Sequence, residues 1–151
     1  MSEKEPPLPT SFSGPGESPG FLLWRVSNAW QRQQRAALQP LGLTHSQFVI
    51  LACATWFGQE EQLSQVRIGE LTGVDPMTTS QIVRSLEKLN YLTRQPHPDD
   101  PRAKLVAVTG AGRALAQKAV VVVEETDAAF FKPVAGNARD LVKLLQTLNP
   151  I

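Results

Sequence analysis

Gln81 carries a primary amide that can donate and accept hydrogen bonds at once, the pairing that an adenine edge offers in a major groove. It sits among Met77, Thr78, Ser80, Arg84, Ser85 and Lys88, which share one side of the segment Asp75–Leu89 if that segment is helical. This side is polar, short-chained at its start and almost free of acids, which suits contact with a nucleic-acid groove. Arg84 can read guanine or hold a phosphate; phosphate is the expected role, because most such contacts go to the backbone. Catalytic chemistry finds no comparable set. His45 and His97 are far apart, and Cys53 lies among small residues with no Lys or Arg beside it. The expectation for that thiol is a small buried side chain with no redox role. No glycine-rich phosphate loop and no pair of carboxylates suggesting a catalytic cleft appear, so no enzyme, metal site or cofactor is expected.

The polar side needs a helix to hold it, and the sequence supplies the start. Asp75 can accept from the first free backbone N–H groups, and Pro76 fits the first helical position. Thr79, Ile82, Val83, Leu86 and Leu89 recur at three- and four-residue steps as the buried stripe. Upstream, Val66, Ile68 and Leu71 predict a short helix from Ser64, which Gly73 ends in a left-handed conformation before Val74 makes the corner. Two helices joined by such a turn form a helix-turn-helix. Downstream, Tyr91–Arg94 and Lys104–Val108 read as strands. Between them, three prolines within Gln95–Arg102 argue against regular structure. The fold class expected is mainly α with a small β-hairpin wing, a winged helix-turn-helix lobe plus a helical dimerisation region.

The 151 residues suffice for one domain, and the 42% hydrophobic content is ordinary for a globular chain. No apolar run is long enough for a membrane helix and no signal peptide is evident, so a cytoplasmic protein without a membrane partner is expected. Net charge is only +1, but residues 64–113 hold seven Lys/Arg against five Asp/Glu. Residues 1–19, rich in Pro and Gly, are expected to be a flexible arm in which Lys4 could touch phosphate. Helices are predicted over 20–39, 44–58 and 110–132, with a last one from about Gly136. Thr44 and Gln47 form a capping box for the second. That helix is apolar almost all round and is therefore expected to be buried.

From Gly20 onward the chain resembles the multiple-antibiotic-resistance-regulator (MarR) family of bacterial transcription factors. The resemblance rests on Leu71-Thr72-Gly73-Val74-Asp75-Pro76, on Leu86-Glu87-Lys88-Leu89 followed by Tyr91-Leu92, and on Asp99-Asp100-Pro101-Arg102-Ala103-Lys104-Leu105-Val106. It continues through Val108-Thr109 and Gly112-Arg113. Two positions depart from the family pattern: Gln81 stands where Arg is frequent, and Met77 where a small polar residue is usual. The resemblance implies one domain over 20–151, with 20–39 and 110–151 as dimerisation helices and 44–109 as the winged DNA-binding lobe. It implies a homodimer on double-stranded DNA, and often an effector pocket between dimer region and lobe.

On this reading the DNA-contacting residues are Met77, Thr78, Ser80, Gln81, Arg84, Arg94, Asp100, Arg102 and Lys104. Arg102 at the wing tip would enter a minor groove, oriented by a charge-assisted hydrogen bond that it donates to Asp100. Trp24, Trp30 and Trp56 are core by default. The competing expectation is a pocket where helices 20–39, 44–58 and 110–132 meet, lined by Trp24, Phe48 and Trp56 and taking a small aromatic or phenolic effector. The function expected is a dimeric, sequence-specific transcriptional regulator, a repressor released by such an effector. The alternative is a winged-helix protein-interaction module that has lost DNA binding, favoured by the near-neutral charge and opposed by the Asp100/Arg102 wing.

Overall fold

The computed structural model describes residues 5–151; Lys4 and the three residues before it lie outside the described residues. A 3-10 turn at Pro15–Glu17 leads into α1 (Pro19–Leu38), which starts where the Ser18 hydroxyl accepts from the Phe21 N–H at 3.3 Å. Pro40 ends regular α-helix through a second 3-10 turn, and Gly42 turns the chain with φ of 70°. α2 (His45–Phe57) opens on the predicted capping box, with Thr44 and Gln47 each satisfying the other's backbone N–H. Then follow β1 (Leu63–Ser64), α3 (Gln65–Thr72) and α4 (Pro76–Lys88). The hairpin strands β2 (Leu92–Pro96) and β3 (Lys104–Val108) precede α5 (Gly110–Phe131). A 3-10 stretch over Lys132–Asn137, at the predicted Pro133 break, leads to α6 (Ala138–Leu148), two residues later than expected.

The sheet has the order β1-β3-β2, all antiparallel. β2 pairs with β3 as far as Pro96 opposite Lys104, so regular structure reaches further into the proline-rich stretch than expected. Pro96 is tolerated because β2 is an edge strand, where a missing N–H need not break a ladder.

One core gathers Leu38 from α1, Ile50 and Leu51 from α2, Ile68 from α3, and Val83 and Leu86 from α4. Leu92, Val106, Ala119 and Val123 join it from the wing base and α5. α2 is not buried all round: its inner side is, but Trp56 is 76% exposed. Trp24 is 68% exposed, so neither of these tryptophans is core in the single chain. Apolar surface stays uncovered along the start of α1 (Phe21, Leu22, Leu23, Val26) and on α6 (Leu144, Leu145, Leu148). No helix is long and apolar enough to cross a membrane among the described residues.

Candidate nucleic-acid interface

α4 is placed by contacts at both ends. At its start the Asp75 carboxylate accepts from the Thr78 N–H at 2.9 Å; hydrogen bonding from Thr78, its side chain foremost and this N–H next, holds the Asp75 carboxyl below its ordinary pKa. The Thr79 hydroxyl turns inward and donates to the Val74 carbonyl at 3.2 Å, closing the corner after Gly73 (φ 72°). Gly69 of α3 backs against the same hydroxyl and carbonyl, so a side chain there would press on the turn. Along its length, α4 buries Thr79, Ile82, Val83 and Leu86. Leu89, expected in the same stripe, is instead half-exposed because it caps the helix rather than continuing it.

The end of α4 is tied to the rest of the lobe by a joint. Asn90 takes φ of 62°, the left-handed conformation, and the Tyr91 N–H reaches back to the Leu86 carbonyl at 3.0 Å. Thr109 then closes the base of the wing: its hydroxyl donates to the Asn90 carbonyl at 2.7 Å and its N–H to the Tyr91 carbonyl at 3.1 Å. The same hydroxyl accepts from the Gly112 N–H, capping α5. Gly112 packs so tightly on Tyr91 that a Cβ there would collide with its carbonyl oxygen. This accounts for the Thr109-x-x-Gly112 spacing.

Outward from this frame stand Met77, 74% exposed, with Gln81, Arg84 and Lys88 exposed and Thr78 and Ser80 partly so. Ser85 does not belong with them. Its hydroxyl accepts from the Gln47 side chain at 3.0 Å and donates to the Ile82 carbonyl, which ties α4 to α2. On the wing, Lys104 and Arg102 are exposed. The expected ion pair between Asp100 and the Arg102 guanidinium is replaced: the Asp100 carboxylate accepts from the Arg102 backbone N–H at 3.0 Å. Asp100 therefore folds the tip, assisted by Ala103 N–H on the Asp100 carbonyl, and leaves the Arg102 side chain free.

Arg94 also departs from expectation. Its guanidinium makes a fork on Glu87 of α4, Nε to Oε2 at 3.2 Å and Nη2 to Oε1 at 3.0 Å, which depresses the Glu87 pKa. It is thus engaged inside the lobe, whereas Arg84, Arg102 and Lys104 make no ion pair among the described residues.

The three aromatic residues expected to share a pocket are not gathered in one chain. Phe48 is a core residue at 7% exposure, while Trp24 and Trp56 face outward. The meeting of α1, α2 and α5 is filled by a polar cluster that the sequence reading missed. Asp127 accepts from Trp30 Nε1 and from Gln34 Nε2, both at 2.7 Å, and Gln34 also donates to the Val123 carbonyl. Gln34 is fully buried, and its Oε1 has no hydrogen-bond partner among the described residues. His45 stands edge-on to the Trp30 ring at 4.8 Å; burial lowers its pKa, with Asp127 opposing and Arg35 adding to the shift. The four-residue spacing of Trp30 and Gln34 was the available signal. A concavity of about 460 Å3 lies elsewhere, between the end of α2, the loop before β1 and the outer side of the wing at Thr93 and Gln95.

Comparison with known proteins bears on this geometry. The family model described as "MarR family" matches residues 43–104, from the approach to α2 to the first residue of β3. The uncharacterized HTH-type transcriptional regulator YdcH of Bacillus subtilis is 38% identical over 123 residues, covering 81% of this chain and 84% of its own. The HTH-type transcriptional repressor Rv2887 of Mycobacterium tuberculosis is 32% identical over 130 residues, covering 85% and 91%. Its crystal structure with p-aminosalicylic acid superposes with a TM-score of 0.67 at 30% identity, over 87% of this chain and 98% of that one. A mutant MarR from E. coli complexed with operator DNA superposes with a TM-score of 0.76 at 25% identity, over 87% and 93%. With a capped α4, a wing closed at its base and relatives of this identity spanning most of both chains, the protein belongs to the MarR family of transcriptional regulators.

Proposed function

We propose that this DNA-binding regulator is a homodimeric repressor that docks α4 in the major groove and the wing tip in the adjacent minor groove. The observation that carries the docking is the outer side of α4: Met77, Gln81, Arg84 and Lys88 stand exposed on a helix otherwise buried and tied at both ends. In this reading Thr78, Ser80 and Gln81 meet base edges, Arg84 and Lys104 meet phosphates, and Arg102 enters the minor groove. Residues 44–109 form the DNA lobe, and 20–39 with 110–151 join two copies. The uncovered apolar side chains on α1 and α6 support that partition, because a patch of this kind is costly on a monomer. The protein works by occupancy of promoter DNA in the cytoplasm, without catalysis.

Release by a small aromatic or phenolic acid is part of the same proposal, supported by the similarity to Rv2887, solved with p-aminosalicylic acid. Trp24 and Trp56, exposed in one chain, would face such a ligand at a seat that a second copy completes. The test is selection of bound fragments from a random duplex library, repeated with candidate aromatic acids. Enrichment of a two-fold site that an acid abolishes supports the reading. Failure to enrich any duplex removes it and leaves the interaction-module alternative.

A further inference from the structure

The helix proposed to face DNA contains one acid, Glu87, and it lies one turn beyond Arg84. Side chains three residues apart on a helix are neighbours, and the Arg84 charge is felt at the Glu87 carboxyl. Left free, a carboxylate there would repel phosphate and offer Arg84 an intramolecular partner in place of DNA. The fold occupies it otherwise. Arg94, reaching across from β2, takes both Glu87 oxygens at 3.2 and 3.0 Å. The Arg94 side chain is only 21% exposed, less than Glu87 at 37%, so the guanidinium is the more enclosed of the pair. Both carboxylate oxygens are needed for a fork, which Arg can supply and the single ammonium of Lys cannot.

We propose that Arg94 is a positioning residue for DNA binding: it neutralises and holds Glu87, which keeps Arg84 available to a phosphate, and it does not itself touch DNA. This rests on the regulator reading above. It differs from a plain structural strut, for which either half of the pair would matter equally, and from a phosphate contact, for which Glu87 would not matter.

The experiment titrates the parent protein and four variants with a duplex that the parent enriches from a random library, at several salt concentrations. Arg94→Ala should bind about tenfold more weakly, with a salt slope lowered by up to about one contact per subunit, because the freed Glu87 then competes with phosphate for Arg84. Glu87→Gln alone should bind at least as well as the parent, because it removes the acid. The double variant Glu87→Gln/Arg94→Ala should recover to within about threefold of the parent. Arg94→Lys should fall between parent and Arg94→Ala, and it carries the same comparison if the alanine variant does not fold. Two patterns overturn the proposal. One is Glu87→Gln weakened as much as Arg94→Ala, the signature of a strut. The other is a Glu87→Gln/Arg94→Ala double variant that stays as weak as Arg94→Ala, its salt slope still lower than the parent's by about one contact per subunit, the signature of a phosphate ligand. A parent that enriches no duplex overturns the regulator reading and this proposal together, a result distinct from either variant pattern.

Discussion

Arg102 and Gln81 have different expected signatures on removal. Arg102→Ala should weaken binding to all duplexes and lower the salt slope by about one contact per subunit, because the side chain stands free at the wing tip. Gln81→Ala should leave the slope nearly unchanged and relax preference at one base position of each half-site, at roughly 1–3 kcal/mol. Salt-titrated binding to a panel of single-base variants of the selected site separates the two. If Arg102→Ala binds like the parent at physiological salt, the wing tip is not a DNA contact. His45 gives a prediction in pH. Burial lowers its pKa in the folded chain below the ordinary 6.5, so the neutral ring is the form that fits beside Trp30. The unfolded chain therefore takes the proton first, and stability should fall as pH drops from about 6.5 through the lower folded value. Melting temperatures between pH 7.5 and 5 should show this slope, and His45→Gln should flatten it. An unchanged slope in that variant would assign the dependence to another group. Residue type and spacing marked Gln81 and Arg102 as candidates in the sequence, and both are exposed. Type and spacing did not show that Asp100 would bond the Arg102 backbone or that Arg94 would turn to Glu87, because a side chain's choice among nearby partners depends on the folded tip and strand.

The helices were legible where local signals agree. Asp75-Pro76 and Thr44-x-x-Gln47 fix their starts through hydrogen bonds three residues long, and these are present as expected. The strand extension to Pro96 was not legible, since it depends on β2 being an edge. Nor was the Asp127 cluster, whose hydrogen bonds join α1 to α5 across 93 and 97 residues. At this scale the joint between α4 and α5 yields two stability predictions. Gly112→Ala should cost at least about 1–3 kcal/mol in urea unfolding, because a Cβ would meet the Tyr91 backbone rather than a movable side chain. Thr109→Val should cost about 1–2 kcal/mol, losing both the α5 cap and the bond to the Asn90 carbonyl. If both variants unfold at the parent's midpoint, the joint contributes nothing to stability.

The terminal helices expected to join two copies leave Phe21 and Leu22 on α1 and Leu144 and Leu148 on α6 uncovered, but the outward placement of two tryptophans could not be read from one sequence. Trp24 and Trp56 have core-like composition yet stand outside, and a helix pattern alone does not say which tryptophans the core leaves out. Sedimentation at micromolar concentration should find a dimer. Leu144→Glu/Leu148→Glu on α6 should shift it toward monomer and, with it, weaken binding to a two-fold site far more than to a half-site. A parent that sediments as a monomer would remove the dimer from the proposal. The bonds of Thr109 to Asn90 and Tyr91 have a separate consequence for how such proteins can change. They make residues 91–108 a hairpin stapled at its neck, so its length and tip chemistry are uncoupled from the framework that carries it. Two residues inserted between Pro98 and Asp99 should leave the unfolding midpoint in place while altering DNA affinity. The wing tip beyond the Arg94–Glu87 fork is, in that sense, an exchangeable cassette, one that drift or an engineer can rewrite without retuning the helices beneath it.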